Sequence, residues 1–112
     1  MAMHHYMMMF HYTPEAQAAL VSNPEDRSQA IGDLIQQAGG QMDSYYYCFG
    51  EYDGVFTFQV SDDESAQAIA HAVASTGTIS HERMINLQTV EEKMQTLQKA
   101  QQLAQAFQPP SG

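Results

Sequence analysis

Tryptophan is absent from this chain, cysteine occurs once, and lysine and arginine together number 4 against 13 aspartates and glutamates. Each shortage excludes something. With Cys48 as the lone cysteine no intrachain disulfide can form, which suits a reducing compartment, so a cytoplasmic location is expected. A formal net charge of −9 repels phosphate backbones and anionic lipid, so neither nucleic acid nor a membrane surface is an expected partner. No apolar run approaches the roughly 20 residues of a membrane span, and no basic segment followed by an apolar stretch opens the chain. Catalytic elbows of the G-x-S-x-G type, phosphate-binding glycine loops and C-x-x-C pairs are missing as well. Cys48 has no basic neighbour in sequence to activate it, so nucleophilic catalysis has little support.

What is abundant is methionine, histidine and tyrosine, concentrated first in "HHYMMMFHYT". Read with period two, this stretch is a strand over 4–12. Tyr6, Met8, Phe10 and Tyr12 form an ordinary buried face, and His5, Met7, Met9 and His11 form the other. Thr13-Pro14-Glu15 then reads as a capped helix start, and Asn23-Pro24-Glu25-Asp26 as a second one. The second helix carries Ala30, Ile31, Leu34, Ile35 and Ala38 as an apolar stripe and ends at Gly39-Gly40. "QMDSYYYCFG" reads as strand two, "GEYDG" as a turn, and "VFTFQV" as strand three. Ser61 and Glu64 predict a capping box for a helix burying Ala66, Ile69, Ala70 and Val73, stopped by Gly77. "ISHERMINL" is strand four. Thr89 and Glu92 predict a second capping box, opening an amphipathic, glutamine-rich last helix.

The order β-α-β-β-α-β, with right-handed crossovers, predicts an α+β ferredoxin-like domain. Its four-stranded antiparallel sheet has helices on one face and an extra helix follows at the C-terminus. The domain spans 1–89. The amphipathic helix, 90–108, is expected to pack on that domain or on a partner subunit, and 109–112 to form a loose tail. Such a sheet keeps one largely apolar face uncovered by its own chain, so a second copy, a pocket, or both must cover it.

"FGEYDGVFTFQVSDDESAQAIA", with the upstream "YTPEA", "NPEDR" and "QQAGG", resembles the GYD-domain family over roughly Tyr6 to Glu92. Gly50, Glu51, Tyr52 and Asp53 carry the most specific part of the match. The resemblance implies a dimeric α/β barrel: a homodimer or larger homo-oligomer whose sheets face each other around a cavity. Wider relatives include cofactor-free monooxygenases, cyclases, isomerases and haem-degrading enzymes. The last typically rely on a tryptophan and a helical histidine, and this chain has no tryptophan.

Three constellations carry chemistry. His11 and His81, with Tyr46, are the candidate acid–base residues, since imidazole and phenol in a dry cavity suffice to move a proton beside a carbonyl. His5, Met7, Met9 and Cys48 are the expected lining of a ligand pocket. Together they predict a small-molecule-binding homo-oligomer, with cofactor-free isomerase, cyclase or monooxygenase chemistry as its finer form. The alternative is soft-metal binding, with copper as Cu(I) on Met7, Met9 and His11, joined by Cys48 or His81. His5 and His11 lie about 20 Å apart along a strand and cannot share an ion. A structural oligomer without ligand is the second alternative. The carboxylates Glu51 and Asp53 read as turn chemistry, with Asp53 closing an Asx turn and Tyr52 anchoring it.

Overall fold

The computed structural model describes residues 3–110, so residues 111 and 112 of the expected tail lie outside the described residues. Strand β1 (His4–Tyr12) alternates as its sequence predicts: Tyr6, Met8 and Phe10 are buried while Met7, Met9 and His11 keep partial exposure. Beyond it lie α1 (Pro14–Ser22), α2 (Ser28–Gln37), β2 (Gln41–Tyr47), β3 (Gly54–Val60), α3 (Asp63–Ala74), β4 (Ile79–Leu87) and α4 (Val90–Ala106). The strands form one antiparallel sheet in the order β2-β3-β1-β4, which is the ferredoxin-like arrangement with an added C-terminal helix. No described helix is long and apolar enough to cross a membrane.

The core lies between one sheet face and the helices α2 and α3. Tyr6, Met8, Phe10, Phe56, Phe58 and Val60 rise from the sheet to meet Ile31 and Ile35 of α2 and Ala66 and Ile69 of α3. Aromatic rings stack through it, Tyr6 on Phe58 at 5.4 Å and Tyr45 on Phe56 at 5.7 Å between centroids. Ala30 is exposed and does not belong to the α2 stripe.

Helix boundaries follow local chemistry where the caps are local. Thr13 accepts from the Ala16 N–H, and Thr89 and Glu92 form the reciprocal capping box at α4. Two starts differ from expectation. At α3 the cap is Asp62, whose carboxylate accepts from the Ser65 N–H, rather than Ser61. At α2 the helix begins at Ser28 instead of within Asn23–Asp26, because that segment is tied elsewhere. Asp26 takes the Ser28 N–H and hydroxyl, and Tyr47 of β2 takes the Arg27 N–H. The α2 exit is a Schellman motif: Gly39 N–H to Gln36 C=O and Gly40 N–H to Ile35 C=O, both 2.9 Å, with Gly39 at φ 82°.

Helix α4 stands apart. None of its residues is buried, and Val90, Met94, Leu97 and Leu103 are exposed, as is Phe107 just beyond it. The molecule therefore measures 63 × 38 × 22 Å with a radius of gyration of 18.3 Å, against about 13 Å for a compact chain of this length.

Candidate functional site

The uncovered sheet face divides into two halves. Toward β2 it is polar: Ser44 and Thr57 share a hydrogen bond of 2.6 Å, and Gln59 Nε2 donates to Asp43 at 3.0 Å. Toward β4 it is apolar apart from Arg83, which lies opposite Met9: Met7 lies opposite Ile85 and His5 opposite Leu87. His11 closes this half at one end.

A bulge builds the surroundings of His11. Met9 pairs with Arg83 and His11 with Ser80, so β4 carries one extra residue there. That residue falls at His81, which takes φ 53°, a left-handed conformation costly for a side chain other than glycine. The bulge brings the His81 ring edge-on to His11, 5.8 Å between centroids, with Ser80 Oγ 3.2 Å from His81 Nδ1. Tyr52 also lies against the His11 ring, tilted, at 5.3 Å between centroids. The Asp53 carboxylate sits 3.8 Å from His11 Nδ1.

Asp53 does more than close a turn, and it closes no Asx turn. Its N–H donates to Phe10 C=O, its carboxylate accepts the Tyr12 N–H at 2.8 Å, and its carbonyl accepts from Cys48 N–H. It thereby staples the end of β1 to the segment joining β2 and β3. Gly50 supplies the positive φ of that turn, at 116°. Gly54 serves close approach instead, since a Cβ there would lie 2.4 Å from Phe10 Cζ.

Of the residues expected to act, His11 and His81 are brought together. Tyr46 shares their face but stands on β2, two strands from β1, with the residue 67% exposed. Met7 and Met9 occupy the middle of the face and His5 its far end. Cys48 is exposed just past β2 and stands outside this group. Among the described residues, no three or more His, Cys, Asp or Glu side chains are grouped as a metal ion would need.

Sequence reasoning missed Tyr52 and Asp53 as neighbours of His11, and it missed a second feature on the helix side. There Tyr12 and Tyr45 bury their hydroxyl oxygens beside each other, shut from solvent. Burial pushes both phenols up from their ordinary pKa, Tyr45 further because Tyr12 and Tyr47 crowd it. The "YYY" run signalled phenols on both faces, but nothing in it placed Tyr45 against Tyr12.

The GYD domain family matches residues 6–105, and the chain belongs to that family. No curated relative matches the sequence. Among solved structures it resembles MtbAldR, with 14% identity and a TM-score of 0.55 over 79% of this chain and 55% of that one. It thus spans little more than half of that protein's length. It also resembles 30S ribosomal protein S6 from Thermotoga maritima, with 19% identity and a TM-score of 0.54, covering 93% of this chain and 99% of that one. A protein from Thermus thermophilus gives 16% identity and a TM-score of 0.50 over 78% of this chain and 95% of that one. At such identities these likenesses define the fold alone.

Proposed function

We propose that this GYD-domain protein is a homodimer or larger homo-oligomer that pairs through its open sheet face. The chamber between two such faces holds a small, partly apolar molecule. The observation that supports this is a single one: an uncovered apolar half-sheet ending in the His11–His81–Tyr52–Asp53 group. Methionine suits such a wall, being flexible and polarizable enough to fit an irregular ligand. In the proposed chemistry His11 takes a proton from carbon beside a carbonyl, as an isomerase or cyclase requires. In this reading the Asp53 carboxylate faces Nδ1 from 3.8 Å, and Nε2 is the proposed base. His81 stands second in line, and His5, Met7, Met9 and Tyr46 line the chamber. Helix α4, unburied on its own domain, is proposed to lie on the partner subunit with its Val90, Met94 and Leu97 side chains.

Native mass spectrometry of untagged protein tests the assembly and any retained molecule together. A dimer or larger species is expected for the wild type and a monomer for Ile85→Asp. A monomeric wild type overturns the proposal. Added Cu(I) is expected to leave the mass unchanged. Copper retained by the wild type and lost in Met9→Leu would assign the methionine–histidine face to a metal instead.

A further inference from the structure

Among the described residues, Arg83 is the one lysine or arginine on the apolar half of the open face. The chain has 4 such residues against 13 carboxylates, so a guanidinium placed among methionine and leucine side chains runs against its composition. Its register partner is Met9, the position next to His11 on that face of β1. The two ion pairs among the described residues, His11 with Asp53 and Arg27 with Glu25, leave it out. Its side chain makes one hydrogen bond there, from Nη1 to the Glu82 backbone carbonyl at 3.4 Å, and the rest of its fork is open.

That charge becomes costly in the assembly proposed above. A second sheet laid over the apolar half strips water from the guanidinium, and a covered cation without a paired anion is strongly unfavourable. The open face has two carboxylates near enough to its strands to be considered. Asp53 stands 3.8 Å from His11 Nδ1 with the same oxygen that accepts the Tyr12 N–H. Asp43 lies in the polar half, where both its oxygens accept from Gln59 Nε2, at 3.0 and 3.2 Å. Each already has a partner, which leaves a bound molecule as the source of the negative charge.

We infer that the ligand of the proposed chamber is an oxo acid, a monocarboxylate with a carbonyl beside the carboxylate and an apolar body. The inference rests on the chamber reading and names what that chamber takes. Arg83 holds the carboxylate, whose two oxygens match its planar fork. Met9 and His11 are about 6.6 Å apart along the strand, a gap that an arginine side chain and a three-carbon head span together. The carbon on the far side of the carbonyl then lies at His11, and the body over Met7, Ile85 and Leu87. His11 Nε2 takes a proton from that carbon, the C–H electron pair forms a C=C bond, and the carbonyl oxygen becomes an enolate. The enolate takes the proton back from the imidazolium, so keto becomes enol with no atom or electron gained. Asp53 beside His11 disfavours a second negative group there, which is why a monoanion is specified.

The probe is phenylpyruvate, with phenylacetone, which lacks the carboxylate, as the neutral control. Binding to the ¹⁵N-labelled full chain is read from amide shifts, and chemistry from exchange of the benzylic protons in D₂O. Native mass spectrometry follows the assembly of each variant. Saturable shifts at Met9 and Arg83 are expected, with phenylpyruvate bound about tenfold more tightly than phenylacetone. Arg83→Gln should erase that preference with the assembly intact, and Arg83→Lys should restore part of it. Arg27→Gln, which removes the same charge on the helix side, should leave the preference as it is. Equal losses from Arg27→Gln and Arg83→Gln would reduce the effect to diffuse charge and overturn the inference. Monomers from both Arg83→Gln and Asp43→Asn would pair Arg83 with Asp43 of the partner subunit and also overturn it. An assembled wild type without saturable shifts overturns the oxo acid and leaves the pairing standing, whereas a monomeric wild type removes the chamber and the inference with it. Arg83-dependent binding without exchange would support the oxo acid and sink only the base assigned to His11.

Discussion

Asp53 joins the two faces of the sheet through one carboxylate oxygen, which accepts the Tyr12 N–H and faces His11 Nδ1. Asp53→Ala leaves that N–H unpaired in a partly buried place, and a loss of about 1–3 kcal/mol in urea unfolding is expected. Asp53→Asn retains an acceptor and should lose less. At His81 the expected sign is reversed. Its left-handed backbone suits glycine, so His81→Gly should raise the unfolding free energy by about 1 kcal/mol while removing the imidazole. A loss of stability there would show that the ring's contacts with His11 outweigh the strain. Tyrosines govern the alkaline limit. Tyr6 donates to Asp63, and burial first, then that bond, pushes its phenol up to about 12 from 10.0. Tyr12 and Tyr45 are raised too. Between the unfolded value near 10 and the folded one, the unfolded chain has released protons that the folded chain still holds. Stability is therefore fully present below pH 10 and falls as pH rises toward 12, with slope set by the number of such phenols. Thermal melting followed across that window checks it; a flat profile contradicts the burial of these hydroxyls.

Helices α2 and α4 show what a cap does and does not decide. The α2 start moved because the Tyr47 hydroxyl, from a strand distant in sequence, takes the Arg27 N–H. Tyr47→Phe should accordingly loosen the 23–28 segment and raise its amide exchange more than that of β2. For α4, the capping box gives the helix a firm start, yet no residue of it is buried. Thr89→Ala costs a cap worth about 1 kcal/mol, and in an isolated chain that loss should appear as local fraying without a change in global unfolding. If α4 lies on a partner, the same variant should weaken the assembly. Gly40 marks the tightest element junction, where an added Cβ would meet Gln59 O at 2.2 Å. Gly40→Ala forces α2 away from β3 and is expected to cost about 1–3 kcal/mol.

For the whole molecule, the extended shape and the exposed apolar half-sheet point the same way. A radius of gyration of 18.3 Å belongs to a chain with one arm outside its own core. Small-angle scattering of the Ile85→Asp monomer should show that extension. If the proposed assembly forms, scattering from the wild type should give a radius per subunit consistent with a covered arm. Sheet faces that meet must exclude charge, and the basic Arg83 opposite Met9 is, among the described residues, the one lysine or arginine on the apolar half. Its position beside the His11 group fits the rim of the proposed chamber better than a dry centre.

Much of the fold was legible in the chain because its signals are local. Period-two alternation set β1, which runs as expected over His4–Tyr12, and the turn glycines and Thr caps set most element boundaries. The assignment of Tyr6, Met8 and Phe10 to the core and of Met7, Met9 and His11 to the other face followed from the pleat. Tertiary structure alone decided what lies across from each residue. A one-residue bulge, invisible in "ISHERM", turned His81 toward His11. The meeting of β1 with the Gly50–Gly54 turn made Asp53 a staple between faces. Packing of β2 against β1 through β3 left Tyr12 and Tyr45 beside each other. Alternation tells which face a side chain takes, but register, bulges and strand order depend on contacts distant in sequence, and those place the chemistry.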